Sequence, residues 1–240
     1  MKVFIFLVLV SIARASPVRE NPMENEGLFE GDIMGIDPNI DRNAIPRDAN
    51  RWPNANVPYV IDKELNPIWN LLMSAMRHIE ERSCIRFFPK EPHHKDYIRI
   101  VQENGCWSFW GRQGRGEQKV SLGHGCHYFG TIVHELLHAI GFEHEHNRSD
   151  RDDYLTINWH NIEEKWYYAF RKLLPQQNRL LTPFDYNSIM LYGETAFSKD
   201  GVLKTIVAKD GRFLPANAYK KEMSESDAQR IRLLYECKSK

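Results

Sequence analysis

Residues 134–146 read HELLHAIGFEHEH, and their spacing dictates what the rest of the chain must build. His134 and His138 are four apart, so a helix sets them one turn apart on one face. Two imidazoles so placed reach a single ion at the zinc–nitrogen distance of about 2.0–2.1 Å. Glu135 stands one residue round the helix, where a carboxylate takes a proton from water activated by the ion. Gly141 can take the positive φ that stops a helix and turns the chain, which returns His144 as a third ligand. Three histidines with one open position describe a catalytic zinc, whereas a structural zinc has its shell filled. A buried helix that carries histidines by chance accounts for a bare HExxH. It does not account for Gly141 and His144 at the extended spacing.

The chain around this stretch has 240 residues, enough for one ordinary domain plus processing segments. Hydrophobic residues make up 42% and aromatic residues 12%, which supplies a sizeable core. The formal net charge is zero, so charge argues for neither nucleic acid nor a membrane surface. Residues 1–15 read as a secretory signal: Lys2, an apolar run from Val3 to Val10, then Ala13-Arg14-Ala15 as a cleavage site. That run is shorter than the ~20 residues a membrane span needs. The expectation is therefore a secreted protein without a membrane anchor. In an exported chain, Cys84, Cys106, Cys126 and Cys237 imply two disulfides. Four cysteines allow three connectivities, and spacing chooses none of them.

From Ser16 to Arg42 the chain is acidic, with seven carboxylates against Arg19 and Arg42 and little hydrophobic periodicity. After it, Val57 to Ile61 reads as a strand. Asn66-Pro67 reads as a cap followed by proline at a first helical position. Ile68, Leu71, Leu72, Ala75, Met76 and Ile79 then recur at helical spacing. Tyr97–Val101 and Gln118–Leu122 read as further strands, and the metal motif as a helix over about Gly130–Ile140. Residues 151–181 suggest a helix and loop, and Gly193–Pro215 loop and short strand. Ser224–Leu234 suggests a closing helix with Asp227 near its start and Ile231, Leu233 and Leu234 facing inward. His124, His127 and His146 lie near the motif and read as packing or rim residues, because three ligands already suffice. Asn147-Arg148-Ser149 is a glycosylation sequon.

The full run HELLHAIGFEHEHNRSDRDDY, through Tyr154, resembles the astacin family of zinc endopeptidases within the metzincins. The resemblance implies an α+β, two-lobed protease domain. Its N-terminal lobe would hold a mixed twisted sheet and long helices, and its mostly irregular C-terminal lobe would end in a closing helix. It implies bridges Cys106–Cys126 and Cys84–Cys237. It identifies Phe29-Glu30-Gly31-Asp32 with the FxGD motif of astacin zymogens, whose aspartate binds zinc and excludes the catalytic water, so that Asp32 is the switch. Arg42-Asn43 then looks like an activation site for a trypsin-like protease. The freed N-terminus would meet Glu145. Phe184-Asp185-Tyr186-Asn187-Ser188-Ile189-Met190-Leu191-Tyr192 resembles the Met-turn, with Met190 beneath the zinc and Tyr192 stabilising the oxyanion. Members usually carry histidine where this chain has Leu191. Lys220 corresponds to a cation that favours acidic residues just after the scissile bond, and the strand near Cys106–Gly111 to the cleft edge that pairs with extended substrate.

The expected organisation is a signal at 1–15, an activation segment at 16–42 and a catalytic domain at 43–240, without accessory modules. The expected activity is hydrolysis of protein or peptide substrates by a monomer with one zinc. His134, His138 and His144 would be the ligands, Glu135 the general base and Tyr192 its partner. Two other classes remain open on sequence: an inactive binding module on the same fold, and a disulfide-stapled structural protein with an accidental motif. Zinc content separates the last from the other two, and Glu135→Gln separates enzyme from module.

Overall fold

Side-chain alternation builds the sheet. In Tyr97–Val101, Ile98 and Ile100 point into the core while Tyr97 and Arg99 face outward, where Arg99 pairs with Asp62 at 2.8 Å. The computed structural model describes residues 21–36 and 50–238. The signal at 1–15 and the Arg42-Asn43 junction lie outside the described residues. The strands are β1 (Ile33–Met34), β2 (Asn56–Ile61), β3 (Arg86–Pro89), β4 (Tyr97–Val101), β5 (Cys106–Phe109) and β6 (Glu117–Leu122). They form one mixed sheet in the order β1-β5-β6-β4-β2-β3, in which only β5 and β6 run antiparallel.

Helix α1 (Trp69–Arg82) buries Leu72, Ala75, Met76 and Ile79. It packs on α2 (Phe129–Ala139), which lies against β5 and β6. Every residue of α2 from Gly130 to Ala139 is buried, as suits a helix covered on all sides. Past α2 the chain is mostly irregular. It contains a short hairpin of β7 (Leu155–Ile157) with β8 (Ile206–Ala208), and then the closing helix α3 (Glu225–Leu234). The fold is thus α+β, with the sheet and α1 before the metal motif, which α2 carries.

Local readings need correcting at four places. Pro67 does not open α1. It lies within a 3-10 turn, Lys63–Ile68, and the α-helix starts at Trp69 with Ile68 as its uncapped N-cap. Residues 151–181 form 3-10 turns and β7 rather than an α-helix. Leu233 is 46% exposed; it lies two positions from Ile231, about 200° round the helix, and so faces away from the core. Strand β3 carries too little alternation to be read locally, since its four residues pair only through β2.

Both disulfides are formed, Cys84–Cys237 and Cys106–Cys126, with Cα–Cα distances of 5.5 and 5.6 Å. The first ties the end of α1 to the end of α3. The same seam carries Trp52, whose indole donates to the Ala139 carbonyl at 2.8 Å, and Tyr235, whose hydroxyl donates to Ile140 at 2.9 Å. Cys84–Cys237 closes a sequence separation of 153 residues, and by the loop-entropy relation removing it costs about 5 kcal/mol. The double variant Cys84→Ser, Cys237→Ser is expected to unfold at markedly lower denaturant. An unchanged midpoint would mean that packing alone holds α3.

Candidate metal centre

Helix α2 delivers two imidazoles at the i, i+4 spacing, and their Nε2 atoms stand 3.0 Å apart. Gly141 ends the helix at φ +102°, with its N–H donating to the His138 carbonyl at 2.9 Å. A side chain is strained at that φ. The turn brings His144 Nε2 to 3.2 Å from both other Nε2 atoms. Asp32 closes the cluster: Oδ2 is 3.2 Å from His134 and His144, and Oδ1 is 3.3 Å from His138. His134, His138 and Asp32 have no exposed surface, and His144 has 1%.

These separations suit zinc. Bonds of about 2.0–2.1 Å at tetrahedral angles hold ligand atoms roughly 3.3–3.4 Å apart, close to the spacings observed. The outer ring nitrogens point the same way. His134 Nδ1 donates to the Ile189 carbonyl at 2.8 Å and His138 Nδ1 to Phe142 at 2.7 Å, which turns both Nε2 lone pairs inward. His144 Nδ1 meets the Glu30 carboxylate at 2.6 Å. The Glu135 carboxylate is fully buried, and neither of its oxygens has a hydrogen-bond partner among the described residues. Burial, and then the charge of Asp32, push its pKa well above the usual carboxylate range. An unpartnered carboxyl of raised pKa beside a metal cluster is suited to exchanging protons with water.

Asp32 arrives on a tight turn. Phe29 and Ile33 bond each other's backbone at 3.0 and 2.9 Å, while Glu30 and Gly31 take φ of +55° and +96°. A Cβ on Gly31 would lie 2.6 Å from the Phe197 ring, so this approach demands glycine. Burial raises the Asp32 pKa, but the imidazoles of His144 and His138 outweigh it and hold the carboxyl well below the ordinary range. Tyr192 donates its hydroxyl to Asp32 Oδ2, and burial pushes that phenol well up. The segment also adds β1 to the sheet, parallel to β5, with Ile33 opposite Ser108. It thereby covers the edge of β5 and becomes the end strand of the sheet.

Met190 is fully buried, and its carbonyl accepts from Glu145 N at 3.0 Å. Glu145 lies in an ion cluster with Arg148 at 3.1 Å and with Arg230, and it also accepts from Asp185 N at 2.8 Å. A cleft of about 60 Å³ adjoins it, lined in part by Trp110, Phe142, Arg148 and Arg230. His146 is not among the groups that converge on the metal point. It is buried and stacks on Tyr192 at 4.7 Å. Asn147 is fully buried, with its amide donating to Ala169 at 3.0 Å, which leaves no room for a glycan in the folded state.

Lys220, expected at the substrate, donates its ammonium to the main-chain carbonyls of Ser188, at 2.7 Å, and Leu191. Carbonyls in a buried turn need donors, and this lysine is the nearest one. The sequence did not reveal the contacts that Glu30, Asn217, Asp227 and Arg230 make around the site. Glu30 sits inside the FxGD motif and could have been asked what its carboxylate meets. Asn217 lies 83 residues from His134 and carries no local signal at all. Its Nδ2 is 2.6 Å from the Ile189 oxygen and 2.8 Å from His134 Nδ1, so two donors share one carbonyl.

Residues 44–236 match the peptidase family described as Astacin. Astacin-like metalloprotease toxin 1 of Loxosceles intermedia is 40% identical over 215 residues, 88% of this chain and 81% of the toxin. Zinc metalloproteinase nas-8 of Steinernema carpocapsae is 35% identical over 231 residues; the match takes in 92% of this chain and 55% of that longer protein. Among solved structures, high choriolytic enzyme 1, a hatching enzyme zinc-protease from Oryzias latipes, is similar with a TM-score of 0.70 and 39% identity. That match covers 78% of this chain and 94% of the other. Two imidazoles on a buried helix and a third returned by the turn after it, set beneath a mixed sheet, agree with the breadth of these matches: the chain belongs to the astacin family and is a zinc metalloendopeptidase, acting on protein or peptide substrates.

Proposed function

We propose that the chain is made as a secreted, latent protease, with a signal at 1–15, an inhibitory segment at 16–42 and a catalytic domain at 43–240 that works as a monomer. Among the described residues no helix is long and apolar enough to cross a membrane, and the two disulfides suit an oxidising compartment. The observation that carries the latent reading is the Asp32 carboxylate lodged between three imidazoles while its own segment fills the β5 edge. A trypsin-like protease cutting between Arg42 and Asn43 would release both contacts.

In the released enzyme His134, His138 and His144 hold zinc, which supplies Lewis acidity at the cleft floor. Glu135 takes a proton from the attacking water and returns it to the leaving amine. Tyr192, freed from Asp32, turns its hydroxyl to the oxyanion that develops on the scissile carbonyl. The vacated β5 edge holds the peptide through main-chain hydrogen bonds. The new amine at Asn43 enters the cleft beside Glu145, where a buried ammonium finds a carboxylate partner.

Glu135→Gln is expected to retain zinc and to lose proteolysis by about 10²–10⁴-fold, the span of general acid–base assistance. Equal turnover by variant and parent would remove Glu135 from the chemistry. Asp32→Ala in the full-length chain is expected to cleave a peptide substrate without prior processing; a variant still silent until cut would mean the strand contacts alone impose latency. Leaving a few extra residues ahead of Asn43 is expected to weaken activity, measured on samples of verified N-terminus. Kinetics indifferent to the extension would deny Glu145 its role.

A further inference from the structure

The Met-turn is a buried stretch of backbone, and buried carbonyls must find donors. The turn Asn217–Tyr219 and the lysine after it run directly beneath it. A Cβ placed on Gly130, at the start of α2, would lie 2.1 Å from the Asn217 oxygen and 2.6 Å from the Lys220 oxygen. This strap therefore lies against the helix one turn before His134. From there Lys220 Nζ reaches the carbonyls of Ser188, at 2.7 Å, and Leu191, while Asn217 Nδ2 reaches that of Ile189 at 2.6 Å. The Ile189 oxygen is also the acceptor for His134 Nδ1. The fourth carbonyl, on Met190, takes Glu145 N at 3.0 Å, next to the ligand His144. Asp227 holds the other side, accepting from Ile189 N at 2.8 Å and from the Ser188 hydroxyl at 2.6 Å.

We propose that Lys220 and Asn217 are positioning residues: they clamp the carbonyls of Ser188, Ile189 and Leu191 so that Ile189 presents a fixed acceptor to His134, and thereby set how firmly the zinc is held. Lys220 is then a structural cation that takes no part in reading acidic residues of the substrate. Its ammonium is committed to two carbonyls. Burial draws its pKa down to about 8, with the charges of Asp227, Asp185 and Glu145 opposing that fall. Partners that orient a metal-bound histidine typically alter metal affinity or activity by about 10–100-fold when removed.

This assignment rests on the protease reading, and one half of its test does not. In zinc-loaded full-length protein, Lys220→Met and Asn217→Ala are each expected to hasten zinc loss to a chelator by about 10–100-fold. Lys220→Arg, which keeps a cationic donor at the carbonyls, is expected to stay nearer the parent. In the processed protein, Lys220→Met is expected to lower kcat with KM little changed. The ratio of kcat/KM between peptides with Asp and with Asn just after the scissile bond should match the parent's. Both the first-order release rate and that ratio are independent of how much protein folds. Should Lys220→Met yield no folded protein, Asn217→Ala and the uncharged Lys220→Gln carry the same two comparisons. Parental zinc release in Lys220→Met and Asn217→Ala would overturn the clamp. So would collapse of the Asp preference in Lys220→Met, which would make the lysine a specificity residue. A processed parent that cleaves nothing would instead refute the protease reading and leave the release measurement standing.

Discussion

Bringing three imidazoles to one dry point is the constraint on which the rest of this structure depends. Neutral imidazoles tolerate burial, but each ring presents two nitrogens, and inward-facing lone pairs require outward-facing donors to be satisfied. The fold meets that need with main-chain carbonyls for two rings, Ile189 in the Met-turn and Phe142 after the helix, and with the Glu30 carboxylate for His144. Helix α2 is consequently buried on all sides, and the chain after it is irregular because its task is to return carbonyls and carboxylates to the cluster.

Charge is buried around the same point in a second layer. Asp227, Arg230, Glu145 and Arg148 form a chain of ion pairs from α3 to the segment that follows His144. Such pairs add little net stability compared with apolar packing, but breaking one strands its partner at a cost of roughly 3–5 kcal/mol. Their value lies in definition: each side chain has one place to go. The capping box of Ser224 and Asp227 makes the start of α3 part of this network, so that helix, Met-turn and third ligand are held in register.

What could be read in the chain was what is written locally. The metal motif, the Gly141 turn, the Phe29–Asp32 stretch, the amphipathic face of α1 and the alternation in β4 are all confined to short windows. The groups that went unread act across long sequence separations. Asn217 meets a ligand 83 positions away, Arg230 meets Glu145 85 positions away, and β3 exists because β2 lies beside it. Lys220 shows the limit most clearly. Residue type and place suggest a cation facing the cleft, and only the structure shows its ammonium donating to the carbonyls of Ser188 and Leu191.

The turn that carries Asp32 is small: a few backbone bonds, two carboxylates and a two-residue strand. Contacts on that scale bind weakly between separate molecules. They persist here because one covalent chain joins them to the domain, a link that raises their effective concentration over that of a separate molecule. On the latent-form reading, cutting that link leaves every contact chemically intact and changes only the dilution against which it competes. Release is then driven by mixing entropy, and a reversible grip becomes a one-way step.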